Sequence, residues 1–468
     1  MNTPIIKQAT ELRSRLETLL CALEHGLIER RREVRLVVLA ALAGEHTLLV
    51  GPPGTAKSEL ARRLHLAFDG VSYFERLLTR FSVPEELFGP LSISALEQDR
   101  YERQTAGFLP QAGIAFIDEV FKANSAILNA LLTLLNEREF DNGAGREKCP
   151  LISVIGATNE IPEDEVAEAF FDRFLLRLPV SPVNAENFQR LLCAETSVSL
   201  PPFAAINAAD RAAFNAVAMA VTLTQEVIVL LTELRQRLAG QDIYVSDRRW
   251  VKVVALLKFA AATEGRTEVV LWDLWLLPWC AGRDLEHQVE VNNWLTSRLG
   301  VRVAFSPPRL TRVVEAFEAQ ARLEQEADDL DYDPSGRLKF SAALDTQVND
   351  AKGASQALRL NYRKRRRYGS MHIAARVRQI DDLLLRIADY AQEVGDHRTA
   401  LASYDAQSLW MEADFARRAN ANLVATIDTI ALLRQRALHA RSLFLELPRL
   451  AEDSGVEPEP VDHEPLTA

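Results

Sequence analysis

Gly51-Pro52-Pro53-Gly54-Thr55-Ala56-Lys57-Ser58 follows the apolar run Thr47-Leu48-Leu49-Val50 and leads into a helical pattern. A strand that runs through a glycine-bearing loop into a helix is the arrangement that cradles nucleotide phosphates. Backbone N–H groups and the helix N-terminus there face the anion. In such a loop Lys57 reaches the β- and γ-phosphates, and the Ser58 hydroxyl ligates magnesium. One position departs from the strict spacing, because Ala56 stands where a second glycine is usual. Alanine adopts a positive φ only at a cost. A glycine turn feeding an ordinary helix is the plain alternative, and the segments downstream decide between the two.

The first of these is Ile114-Ala115-Phe116-Ile117-Asp118-Glu119, an apolar strand ending in two carboxylates. Asp118 is expected to hold the magnesium shell and Glu119 to polarise an attacking water. Any buried strand can end in acidic residues, but this one follows a phosphate loop by one further strand-and-helix excursion. A third apolar strand, Ile152–Ile155, leads into Gly156-Ala157-Thr158-Asn159-Glu160. Asn159 is expected between the two earlier motifs, where a neutral amide can hold water against the γ-phosphate. Its plain alternative is a strand-end turn residue.

Composition bounds the rest. A chain of 468 residues has room for two to four domains, each with its own core. The N-terminal stretch lacks the apolar run of a signal peptide, and no window has the length of a transmembrane helix. Cys21, Cys149, Cys193 and Cys280 are scattered without a C-x-x-C pair, which argues against zinc or a disulfide framework and favours a reducing cytoplasm. A formal charge of −11 argues against general nucleic-acid binding.

Apolar strands at Thr47–Val50, Ile114–Ile117 and Leu151–Gly156 alternate with helical stretches, the signature of an α/β fold. The expectation is a parallel sheet with helices on both faces, and residues 10–43 read as amphipathic helix ahead of it. Ligands of such sheets bind at the strand ends. After Pro182 the chain turns alanine- and leucine-rich to about Gly282, an expected all-helical second domain. Beyond Ser306-Pro307-Pro308, Val314 and Phe317 share a helix, and Asp328–Asp333 reads as an acidic loop. Val377, Ile380, Leu384, Ile387, Ala391 and Val394 then repeat with heptad spacing, and Leu423, Ile427, Ile430 and Leu433 continue helical spacing. The expected domains are 1–185, 186–285 and 286–448, with a short insert near 330–363. The Glu-, Asp- and Pro-rich residues 449–468 are expected to be disordered.

Taken in order, the three motifs resemble those of the AAA+ ATPases. Arg80-Phe81-Ser82-Val83-Pro84-Glu85-Glu86-Leu87-Phe88-Gly89 looks like the diagnostic stretch of the MoxR branch, whose members commonly carry alanine at the position of Ala56. Within that branch, Gly26-Leu27-Ile28-Glu29-Arg30, Phe88-Gly89-Pro90-Leu91-Ser92-Ile93 and Tyr244-Val245-Ser246-Asp247-Arg248-Arg249-Trp250 resemble the RavA subfamily. The resemblance covers roughly residues 10–285.

The resemblance implies a P-loop core, an all-α lid, a long-helix arm, and an expected hexameric ring binding ATP or ADP with magnesium. Asp172-Arg173-Phe174 matches the arginine-finger segment, so Arg173 is expected at a neighbour's γ-phosphate, where a permanently charged planar fork suits the task. Ser246 is a natural N-cap of a lid helix. Arg248 matches the lid's second sensor, with Arg249 as the other assignment. Leu91–Phe108 and Glu139–Pro150 resemble the two β-hairpin insertions of this clade.

The resemblance further implies a chaperone-like remodeller with a von Willebrand factor A domain partner and a protein client that the sequence does not identify. The interval Leu330–Arg363 is too short for the β-rich module by which RavA proteins bind a lysine decarboxylase, so no decarboxylase partner is expected. Its strand-like candidate is Arg337–Ala342. A cytoplasmic location, peripheral to the inner membrane only through partners, is expected.

Two other functions compete: a nucleic-acid motor, and a nucleotide-gated scaffold with little turnover. The acidic charge counts against the first, and the set Lys57, Asp118, Glu119, Asn159 and Arg173 against the second. The basic run Arg363-Lys364-Arg365-Arg366-Arg367-Tyr368 reads as a solvated segment balancing Asp328–Asp333 rather than as a nucleic-acid or lipid contact. Trp272, Trp275 and Trp279 read as core or subunit contact. Every candidate nucleotide residue precedes Gly282. A chain ending near Val301 is therefore expected to keep ATPase activity and to lose partner docking.

Overall fold

The structure is a computed structural model that describes residues 3–143, 145–162, 165–193, 199–302, 305–330, 363–450 and 457–466. The chain divides into two compact units, Met1–Leu299 with Ser403–Arg417, and Gly300–Ala402 with Arg418–Ala468.

In the first unit, five strands form one parallel sheet in the order β2-β3-β6-β1-β7. They are β1 His46–Val50, β2 Tyr73–Leu77, β3 Ile114–Asp118, β6 Ser153–Thr158 and β7 Phe174–Pro179. A separate antiparallel hairpin joins β4 Glu139–Asn142 to β5 Gly145–Lys148. The central strands are buried along almost their whole length, as parallel strands covered on both faces must be. Leu48, Ile117, Val154 and Phe174 of the sheet share one core with Ile127, Leu131 and Leu134 of the helix Ser125–Glu137.

The α/β expectation is met, with β2 and β7 added. Neither had stood out in the sequence, because Glu75, Arg76 and Arg177 interrupt their apolar runs. The single helix read over 10–43 is two, Thr3–Glu24 and Arg31–Leu42. They are broken where Gly26 and Glu29 take positive φ, 75° and 57°. Of the two expected hairpins, Glu139–Pro150 forms. Leu91–Phe108 does not: it closes on one antiparallel bridge, Leu91 with Arg103, around a helical turn at Ile93–Leu96. The Ser92 hydroxyl caps that turn by accepting from Ala95 N at 3.3 Å, which favours helix over a second strand there.

Helices Ala208–Ala220, Gln225–Ala239, Asp247–Thr263 and Leu285–Arg298 follow, with a two-residue parallel pairing of Thr222–Leu223 and Glu268–Val269 among them. Trp272, Trp275 and Trp279 are buried core residues. The same unit also takes in residues 403–417, so the boundary expected near 285 is not where the chain divides. Trp410 is 2% exposed, and its indole donates to Thr263 Oγ1 at 2.9 Å. Glu264 Oε1 accepts from Leu409 N at 2.8 Å and from the Ser408 hydroxyl at 2.6 Å. Burial of one large aromatic draws this distant segment into the first core, which a chain ending near Val301 would lack.

The second unit is built on long helices. Pro307–Glu326 buries Val314 and Phe317, and Ser370–Gln407 buries Ile373, Ile380, Leu383, Ile387, Tyr390 and Val394. Leu384 and Val377, expected on the seam, are only partly buried. Along Ala413–Leu445 the buried positions include Leu423, Ile430 and Leu433. The acidic run is not all loop: Asp328–Leu330 is a strand paired antiparallel to Arg363–Arg365, which sets the basic run against the acidic one. Arg337–Ala342 lies outside the described residues. Residues 457–466 are not a disordered tail: they form neither helix nor strand, yet Val461 and Leu466 are buried.

Candidate functional site

The phosphate-loop candidate sits where β1, β3 and β6 end together. Pairing of Val50 with Thr158 and of Leu77 with Asp118 brings Gly51, Asp118 and Asn159 to one edge of the sheet. Gly51 N donates to Thr158 O at 3.0 Å and Val180 N to Val50 O at 2.8 Å. A Cβ on Gly51 would overlap the Val180 carbonyl oxygen, so only glycine fits. Gly54 has φ 80°. Ala56 has φ 67° and ψ 26°, so the position where glycine is usual does require the left-handed region. Alanine holds it at a cost of roughly 1–2 kcal/mol.

The helix Lys57–Leu66 starts directly after this residue. Its first N–H groups have no intrahelical acceptor and point out of the helix start, a cradle suited to phosphate oxygens. Pro52 and Pro53 are exposed, and the Thr55 hydroxyl donates to Pro52 O at 3.0 Å, closing the loop on itself.

Lys57 is 7% exposed, and its ammonium donates to Gly51 O, to Pro52 O at 3.3 Å and to Asn159 Oδ1 at 3.2 Å. Burial pulls its pKa below the ordinary lysine value, against the opposing pull of Asp118 and Glu119. Asn159 Nδ2 donates to Glu119 Oε1 at 2.7 Å, and Lys122 Nζ lies 3.3 Å from Glu119 Oε2. Glu119 itself sits at φ 51° and ψ 44°, a second strained residue. Asp118 Oδ1 accepts from Glu119 N at 3.0 Å. Ser58 is half-buried at the start of the helix. The donor set fits a nucleotide with its magnesium: a lysine and free amides for phosphate, a hydroxyl and a carboxylate for the cation.

Arg30, within the segment Gly26–Arg30, has a position that gives it a part here. It is 5% exposed and donates to Thr55 O at 3.1 Å, Ser181 O at 2.6 Å and Glu29 O at 2.8 Å. It thus ties the loop to the chain leaving β7. No periodicity or spacing could have indicated those acceptors, since all are backbone carbonyls.

Arg173 and Arg248 are elsewhere. His46 pairs with Phe174 and Val50 with Pro179, so Arg173 precedes β7 at the edge of the sheet opposite the loop. Five residues at about 3.3 Å each separate the two edges by roughly 17 Å. Ser246 caps the helix Asp247–Thr263, as expected, by accepting from Arg249 N at 3.2 Å, and its hydroxyl donates to Asp172 Oδ2 at 3.3 Å. Arg248 donates to Asn136 Oδ1. Burial, and then the charge of Arg248, lower the Arg173 pKa.

Arg249 is 3% exposed and fully engaged. It donates to Cys280 O at 2.6 Å, Leu175 O at 2.7 Å, Phe174 O at 3.0 Å and Asp172 O at 3.2 Å. Of the two lid arginines, Arg248 is the exposed one. Asp172 lies within 4 Å of Arg173, Arg177 and Arg249, at 3.9, 3.7 and 3.4 Å. The structure therefore gathers the candidate residues into two clusters at opposite edges of one sheet.

A parallel sheet with a phosphate-type loop, a strand-end Asp-Glu pair and a helical lid defines a chain of the AAA+ ATPase class. The family described as the MoxR domain in the MoxR-vWA-beta-propeller ternary systems matches residues 14–215, and an AAA lid domain matches residues 226–295. The chain belongs to the MoxR-type AAA+ ATPase family.

It is 42% identical over 270 residues to an uncharacterized protein of Methanocaldococcus jannaschii, covering 57% of this chain and 70% of that one. To the protein MoxR of Paracoccus denitrificans it is 26% identical over 283 residues, 54% of this chain and 83% of that one. A crystal structure from Cytophaga hutchinsonii, assigned as an ATPase, shares the fold with a TM-score of 0.50 at 16% identity, covering 61% of this chain and 92% of that one. Among the described residues, no helix is long and apolar enough to cross a membrane.

Proposed function

We propose that this chain hydrolyses ATP with magnesium and uses the cycle to remodel or mature a protein client, as a ring of copies expected to be hexameric. The observation that carries the reading is the line Lys57, Asn159, Glu119, hydrogen-bonded at 3.2 and 2.7 Å across the ends of three strands. A magnesium ion bound with the nucleotide would supply neutralisation of the charge that develops on the phosphates. Lys57 and the amides following Ala56 would bind the phosphates, and Ser58 and Asp118 would hold the cation. Glu119 takes the proton of an incoming water that Asn159 orients.

Arg173 lies too far from its own phosphate loop to serve it, which supports action on a neighbouring copy's γ-phosphate. Arg248, on the same edge, is proposed to act there as well. A partner with a von Willebrand factor A domain is proposed because the matching family is described in systems that contain one. The RavA-like placement, without the decarboxylase, rests on the segments around Arg30, Gly89 and Arg248.

Turnover measured with and without magnesium in the wild type, Lys57→Ala and Glu119→Gln tests the reading. Loss of binding in the first variant and retained binding without turnover in the second are expected. Magnesium-independent turnover, or turnover unchanged in both variants, would overturn it.

A further inference from the structure

Residues 457–466, Glu-Pro-Glu-Pro-Val-Asp-His-Glu-Pro-Leu, form no helix or strand, yet lie against the helices Pro307–Glu326 and Ser370–Gln407 within the second unit. Val461 and Leu466 are buried, 7% and 6% exposed, beside a groove of 210 Å³ whose walls include Phe317, Gln379, Leu383 and Arg386. The His463 ring lies over Phe317 with centroids 5.6 Å apart. Backbone groups are held too: Arg376 donates to Glu459 O at 2.7 Å, Arg309 to Pro465 O at 3.2 Å, and Val461 N to Gln379 Oε1 at 3.4 Å. Around the rim, Arg312 and Arg309 meet Glu464 at 3.0 and 3.2 Å, and Arg378 meets Glu457 at 3.0 Å.

This is how an extended peptide is recognised. Two apolar side chains enter a groove, arginines clamp carboxylates and carbonyls, and prolines keep the segment extended before it docks. The hold is shallow, because the Arg312–Glu464 and Arg378–Glu457 pairs are solvent-exposed and each contributes at most about 1 kcal/mol. A segment held by two apolar anchors and exposed charges exchanges readily, while its covalent attachment maintains a high local concentration.

We infer that the groove is a docking site for an extended, acidic, proline-containing segment of a partner protein. Residues 457–466 are then its built-in competitor. Such a partner segment presents two apolar residues five positions apart, flanked by carboxylates, and displaces the chain's own segment on binding.

The test uses the full chain and a fluorescent synthetic peptide of the sequence 457–466, read by anisotropy. Val461→Asp with Leu466→Asp releases the resident segment and is expected to capture the peptide at least about tenfold more tightly than the wild type. Val461→Ala with Leu466→Ala serves the same purpose if the aspartates disturb the helices. Adding Arg312→Glu and Arg378→Glu, both exposed positions, should remove the gain. A peptide with lysine in place of its glutamates should not bind. Capture no better than wild type in both released variants, with helical content unchanged, overturns the proposal. So would a smaller assembly on sedimentation of the released variants, which would mean the segment is exchanged between copies of this chain.

Discussion

The Lys57 ammonium donates to the Asn159 side-chain oxygen at 3.2 Å, joining the loop after β1 to the end of β6. Because the amide's other end donates to Glu119, Asn159 is a lever between a phosphate-binding charge and a water-polarising one. Replacing Asn159 with Ala is expected to leave nucleotide affinity within a few-fold and to lower turnover by about 10²-fold or more, the range for a misplaced general base. Affinity and turnover lost in equal measure would put Asn159 in binding alone.

If Arg173 serves a neighbour, Arg173→Ala and Glu119→Gln should each be inactive, while mixed assemblies regain part of the activity. Interfaces where an intact Glu119 meets an intact Arg173 account for the recovery. Arg248→Ala mixed with Glu119→Gln should behave in the same way, since the helix that bears Arg248 is capped by Ser246 beside Asp172, next to Arg173. Subunit exchange without recovery would count against action across the interface.

Ala56 at φ 67° carries left-handed strain of roughly 1–2 kcal/mol, of which glycine returns 0.4–1 as unfolded-chain entropy. Ala56→Gly is therefore expected to leave thermal stability unchanged or raise it slightly, by at most about 1.6 kcal/mol. Gly51→Ala, which drives a methyl into Val180 O, should lower it clearly. Thermal unfolding of both variants checks the pair.

His46 is 1% exposed, with Nδ1 accepting from Val154 N at 2.9 Å. Burial, and then the charge of Arg138, hold its pKa well below 6.5. Below that pH the unfolded chain binds a proton that the folded chain refuses. Stability is therefore full above about 6.5 and falls as pH drops, by up to about 1.4 kcal/mol per unit from this group. His46→Gln should flatten the dependence between pH 7 and 5. An unchanged slope would show that other groups govern it.

Truncation near Val301 removes Trp410 from the first unit. Trp410→Ala in the full chain is expected to cost about 3–5 kcal/mol, and the truncated chain should lose at least as much. Denaturant titration of the two measures it. A truncated chain as stable as the full one would show that residues 403–417 contribute nothing to the first core.

The loop Gly51–Ser58 and the ends of β3 and β6 were legible in the sequence because their information is local. Apolar runs bounded by polar ends mark buried strands, and a glycine loop between a strand and a helix marks the turn that joins them. The N-cap at Ser246 was legible for the same reason.

What the tertiary structure alone decided is long-range. The β7 register carries Arg173 to the edge opposite Lys57, the Ser246–Asp172 contact sets the start of the Arg248 helix beside it, and Arg249 is engaged by carbonyls from β7 and Cys280. Arg30 holds the loop through backbone acceptors up to 151 residues away. Residues 403–417 join the first unit, and 457–466 settle into a groove despite a composition that reads as disordered. Each of these rests on partners distant in sequence: pairing register, backbone acceptors and burial of a few apolar side chains exist only once the chain is folded.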